Sequence, residues 1–130
     1  MKTFISELEQ HKAMMERLAD CSDMIEAAGE LLIKTLKQGG KYSRRIEAIA
    51  SEKDCLVAIS TSGKSKNILN AVEAARLKGM AVIGLTGCDG GELSGQVTHS
   101  VVVPSNVTAR IQEAHILIGH WWCGAIEGVN

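Results

Sequence analysis

Apolar residues recur with two different spacings in this chain, and the spacings divide it into helices and strands. Residues 4–19 carry Phe4, Ile5, Leu8, Met15 and Leu18 among charged positions, close to a helical period with one apolar stripe. Ala19-Asp20-Cys21-Ser22-Asp23 breaks that helix, and Asp20 or Ser22 can cap the next one. Met24, Ile25, Ala28, Leu31, Leu32 and Leu36 form its stripe, and it closes on Lys34, Lys37 and Gly39-Gly40. Tyr42-Ser43-Arg44-Arg45-Ile46-Glu47 reads as a further helix.

The spacing then changes. Cys55-Leu56-Val57-Ala58-Ile59 is apolar without alternation, which suits a strand buried on both faces of a parallel sheet. A helical period returns at Ile68, Leu69, Val72, Ala75 and Leu77, and Arg76, Lys78 and Gly79 close it. Ala81–Leu85 and Ser100–Val103 read as two more strands. The last helix starts near Thr108, a plausible N-cap, and carries Ile111, Ile116, Leu117, Ile118, Trp121, Trp122 and Ile126. Strands alternating with helices place the chain in the α/β class, although three strands make a thin sheet for five helices.

Composition narrows the functional classes. A chain of 130 residues that is 45% hydrophobic can form one domain with a real core. A formal charge of −1, from 14 basic and 15 acidic residues, gives no electrostatic footprint for nucleic acid or an anionic membrane. Any anion site must therefore be local. Cys21, Cys55, Cys88 and Cys123 form no CxxC pair, which argues against a zinc finger or redox motif, and Cys55 and Cys123 read as small hydrophobes. With no signal-type or membrane-length apolar run, the expectation is a cytoplasmic protein with reduced thiols.

The local anion site is expected at Ser60-Thr61-Ser62-Gly63-Lys64-Ser65, between the first strand and its helix. A helix N-terminus there presents N–H groups that lack intrahelical partners, and four hydroxyls in six residues exceed what one cap needs. The same loop read more plainly is a cap, with Ser62 or Ser65 as N-cap. Gly63-Lys64-Ser65 matches the end of a nucleotide-binding P-loop, but the first glycine of that motif would fall at Ala58, inside the strand. A nucleotide cofactor is thus excluded. Thr86-Gly87-Cys88-Asp89-Gly90-Gly91 forms a turn at the carboxyl end of the second strand, the side where open α/β sheets bind ligands. On the last helix, Gln112 and His120 are eight apart and fall within roughly a quarter turn of each other at about 100° per residue. His120, between Ile118 and the tryptophans, is expected to be partly buried, either as an acid/base group or as a satisfied core histidine. His11 is expected to be solvated, and His99 structural or exposed.

Taken in order, Ala58–Ser65, the helix to Gly79, Leu85–Gly91, Val103-Pro104-Ser105 and Ala109–His120 resemble the phosphoheptose isomerases of the SIS (sugar isomerase) superfamily. The resemblance runs from about Tyr42 to Glu127, and the N-terminal helix pair is similar as well. It implies a three-layer αβα sandwich with a parallel sheet, preceded by a helical pair. Residues 1–41 would be the N-terminal helices and 42–130 the remainder of a single SIS domain. It implies aldose–ketose isomerisation of sedoheptulose 7-phosphate to a manno-heptose 7-phosphate for bacterial lipopolysaccharide, with Ser60, Thr61, Ser62 and Ser65 on the phosphate. His120 would be an acid/base group and Gln112 a substrate contact, and both would be ligands where zinc is present. Homotetramers are implied too. Relatives continue after a Gly-Gly-Lys like Gly39-Gly40-Lys41 with βα units that bear a catalytic glutamate. Two such units, on the order of 60 residues or more, are expected to be missing between Lys41 and Tyr42. The competing reading is a non-catalytic SIS module that binds a phosphosugar.

Overall fold

The computed structural model describes residues 1–39, the backbone of 42–43, and residues 51–128. Helix α1 spans Phe4–Leu18 and α2 spans Ser22–Lys37, with a short 3-10 turn at Ala19–Cys21 between them. Strands β1 (Tyr42–Ser43) and β2 (Cys55–Ile59), helix α3 (Lys66–Leu77), strands β3 (Ala81–Thr86) and β4 (His99–Val102), and helix α4 (Thr108–Glu127) follow. Among the described residues the sheet is parallel throughout, in the order β1-β2-β3-β4. Tyr42–Ser43 is therefore a strand rather than the start of a helix, and it pairs with Cys55 and Leu56. Residues 44–50 lie outside the described residues, and so does Lys41 at the expected junction.

The absence of alternation in β2 has a direct structural counterpart. Cys55 and Val57 face a core shared with α1, α2 and α4, whereas Leu56 and Ala58 face a second core against α3. In β3, Ile83 and Leu85 join the first core and Val82 the second. The result is the expected αβα sandwich, since strands covered on both faces leave no position for a polar side chain. Each fully buried Leu, Ile or Met in these layers contributes about 1.5–3 kcal/mol. Burial pushes the Cys55 thiol up to about 11, as expected of a cysteine acting as a hydrophobe.

Helix α1 departs from its expected stripe. Met14 and Leu18 are its buried residues, while Phe4, Ile5 and Leu8 are exposed. Its N-terminus is capped by Thr3, which accepts from the Ser6 N–H at 3.1 Å. Neither Asp20 nor Ser22 caps α2: the N-cap is Cys21, without a side-chain bond. Thr108 is the first residue of α4 and Val107 its N-cap. Besides the contacts of Met14 and Leu18 in the shared core, α1 is held to α4 by charge. Arg110, only 6% exposed, donates from Nη1 to the Glu7 carbonyl (2.8 Å) and carboxylate (3.1 Å), and from Nη2 to Glu113 (2.9 Å). Its Nε lies 2.8 Å from Glu113 Oε2, close enough to pair but not aligned as a hydrogen bond. His11 joins the cluster with Nδ1 2.7 Å from Glu113 Oε2, so it is partnered rather than simply solvated.

Among the described residues no helix is long and apolar enough to cross a membrane.

Candidate functional site

Strand β2 delivers the hydroxyl loop to the carboxyl edge of the sheet. The Ser60 N–H still bonds to the Leu85 carbonyl at 3.0 Å, so the loop leaves the sheet one residue beyond the strand. Ser60 is buried and its Oγ accepts from the Gly63 N–H at 3.1 Å, while Ser62 Oγ accepts from the Lys64 N–H at 3.2 Å. These two hydroxyls shape the turn, and each retains an O–H to donate. Ser65 is the N-cap of α3 by backbone conformation, without a side-chain bond to the helix. Its hydroxyl is exposed and unused by the cap. The first turn of α3 holds no acidic residue, so the positive end of its dipole is uncompensated there.

The turn after β3 presses against this loop. Gly63 has φ +69, and a Cβ on it would collide with the Gly90 carbonyl oxygen. Gly91, with φ +56, comes as close to the Ser62 and Gly63 carbonyls: a Cβ there would sit 2.6 Å from both oxygens. The Leu93 N–H then bonds to the Gly63 carbonyl at 3.1 Å. Residues 86–91 are thus the buttress of the hydroxyl loop.

On the opposite side of the sheet edge, α4 walls a cavity of about 760 Å³. Thr61 from the hydroxyl loop, and Gln112, His115, His120 and Cys123 from α4, supply its polar lining; Leu32, Val57, Ile59, Leu85, Trp122 and Ile126 are among its apolar residues. Gln112 and His120 therefore line one cavity, as their spacing allows. His120 is exposed, not partly buried as expected. Ser60, Ser62 and Ser65 do not line this cavity; Thr61 is the hydroxyl of the loop that does. Cys123 is exposed to the cavity rather than buried as a hydrophobe. Among the described residues no three His, Cys, Asp or Glu side chains group as a metal site.

His115 was not distinguished by the sequence. It is 7% exposed, lines the same cavity, and its Nε2 lies 2.9 Å from the Thr86 carbonyl. A carbonyl only accepts, so Nε2 carries the proton. Burial pushes the imidazole below its ordinary value, with the Thr86 carbonyl opposing. The sequence signal available was its place three residues after Gln112, on nearly the same helix face.

The comparisons with known proteins agree with one another. A family model described as an SIS domain matches residues 41–87. A phosphoheptose isomerase of Leptospira biflexa is 50% identical over 86 residues, 66% of this chain and 44% of that protein. Phosphoheptose isomerase 1 of Campylobacter jejuni is 50% identical over 86 residues, 66% of this chain and 46% of that protein. The chain thus spans less than half the length of these relatives. A solved phosphoheptose isomerase from Francisella tularensis superposes with a TM-score of 0.87 at 25% identity, covering 98% of this chain and 100% of that one.

Proposed function

We propose that this chain, by sequence and fold a relative of the phosphoheptose isomerases of the SIS superfamily, is the phosphosugar-holding part of an aldose–ketose isomerase. The substrate is sedoheptulose 7-phosphate and the product D-glycero-D-manno-heptose 7-phosphate, a precursor of bacterial lipopolysaccharide. The carrying observation is that the hydroxyl loop at the uncompensated start of α3 reaches, through Thr61, the cavity that Gln112 and His120 line from α4. The phosphate sits at the loop, on the N–H groups of α3 and the hydroxyls of Ser60, Thr61, Ser62 and Ser65. The sugar extends toward α4.

The reaction moves one proton between adjacent carbons. His120 takes a proton from C1 of the ketose, the electron pair forms the C1–C2 double bond while O2 takes up a proton to give the enediol, and a proton then returns to C2 as the O1 proton leaves and the C1 carbonyl forms. An exposed imidazole in an open cavity can exchange that proton with solvent. The second acid/base group is the glutamate carried by the longer relatives, on a segment this chain does not contain. In the complete protein, Gln112 and His120 would be ligands of a zinc ion. Two neutral donors do not make a metal site, and no step here depends on one. The protein is proposed to be cytoplasmic and a homotetramer, since Phe4, Ile5, Ile116, Leu117 and Trp121 leave apolar area exposed on α1 and α4.

The test is conversion of sedoheptulose 7-phosphate by the intact protein and its His120→Asn variant. Turnover in the first and a loss of 10²-fold or more in the second, on the order expected for a general base, supports the reading. Equal rates remove His120 from the mechanism. Binding of the sugar phosphate without turnover supports the non-catalytic SIS module instead.

A further inference from the structure

The two halves of the cavity edge are joined by one carbonyl. Thr86 ends β3, and its carbonyl oxygen accepts from the Val103 N–H at 3.1 Å, the last bond of the β3–β4 ladder, and from His115 Nε2 at 2.9 Å. On one side of that point lies α4, with Gln112 about one turn before and His120 about one and a half turns after His115. On the other lies the turn that buttresses the hydroxyl loop. The next residue, Gly87, is so close to α4 that a Cβ on it would meet Ile111 Cγ1 at 2.6 Å. The Cys88 N–H bonds to the Ser105 carbonyl at 2.9 Å, in the segment leading into α4. Three successive residues of the turn are therefore held from the α4 side, and its far end, Gly90 to Leu93, is held by Gly63.

We propose that His115 is a positioning residue that keeps the hydroxyl loop and the α4 wall in register through the Thr86 carbonyl. Its Nε2 is committed to backbone, so that nitrogen is not available to exchange a substrate proton. A packed aliphatic residue would fill the same space. It would not fix the distance between helix and strand end, since dispersion has no direction while a hydrogen bond does. Burial favours the neutral imidazole, which preserves a single tautomer with Nε2 as donor. The proposal rests on reading loop and cavity as one site, not on the reaction carried out there.

Amide hydrogen exchange of the full chain tests it without any substrate, in the wild type, His115→Phe and His115→Gln. Phenylalanine fills the volume without a donor, and glutamine places an N–H near the position of Nε2. In the Phe variant the Gly63 and Leu93 amides are expected to exchange about tenfold faster, the effect of losing one hydrogen bond from a local opening, while β2 and β3 ladder amides keep their protection. The Gln variant is expected to stay within about twofold of wild type. Should the Phe variant not fold, His115→Asn, whose amide stops short of Thr86, repeats the comparison against Gln. Unchanged Gly63 and Leu93 exchange, or an increase shared equally by the ladder amides, overturns the proposal. So does a neutral wild-type imidazole found by nitrogen NMR to carry its proton on Nδ1 rather than Nε2. Loss of the isomerase reading leaves every one of these outcomes readable.

Discussion

Gly63 and Gly90 meet backbone to backbone, with the carbonyl oxygen of Gly90 occupying the place where a side chain on Gly63 would begin. Gly63 also stands at φ +69, so Gly63→Ala incurs left-handed strain of about 1–2 kcal/mol before the collision is counted. The expected total is about 2–4 kcal/mol of stability, read as a lower urea midpoint, together with weaker retention of inorganic phosphate. A variant as stable as wild type would mean that the two turns are free to separate.

Arg110 ties α1 to α4 from a nearly buried position, with Glu7 and Glu113 each about one-third exposed. Removing the guanidinium leaves the Glu7 carbonyl and two carboxylates short of a donor, and water can reach the carboxylates. Arg110→Met is expected to cost about 1–3 kcal/mol. It is also expected to expose α1 to limited proteolysis ahead of the sheet. Cleavage at an unchanged rate would show that apolar contacts at Met14 and Leu18 suffice.

Stability should depend on pH through His115. Its imidazole is held below the ordinary 6.5 by burial, so as pH falls the unfolded chain takes up the proton first. The contribution is complete above 6.5 and is lost as pH falls through the folded value, by at most about 1.4 kcal/mol for each pH unit separating the two. Urea midpoints measured across this range should fall below about 6.5 in the wild type and fall less in His115→Gln. Parallel curves for the two proteins would assign the acid limb to other groups.

Ile116, Leu117 and Trp121 project from α4 with 62%, 50% and 46% exposure. If copies of the chain cover them, Leu117→Arg should reduce the solution mass toward 13.9 kDa while leaving the thermal midpoint of the subunit within a few degrees. A wild type that already sizes as a monomer removes the tetramer proposal.

Much of the scaffold was legible because burial on two faces has a simple sequence form. The unalternating Cys55–Ile59 suited an inner strand, and Arg76, Lys78 and Gly79 announced the end of α3 by known end chemistry. Tyr42–Ser43 was not legible, since a two-residue strand owes its conformation to its neighbour rather than to local preference. For the same reason the partners of Arg110 and His115 were hidden: Glu7 is 103 positions away and Thr86 is 29. Gln112 and His120 could be placed on one wall by helix arithmetic alone. The exposure of His120 could not, because it depends on which neighbours fail to cover it.

The contact between the two glycine turns also limits how the chain can vary in length. One residue added to either 60–65 or 88–91 would shift a carbonyl into its opposite, so an insertion in one turn needs a matching change in the other. Gly95, with nothing within 4 Å of the place a Cβ would occupy, lies just beyond this constraint. Any change of length in this region is therefore expected outside the two turns rather than within either one alone.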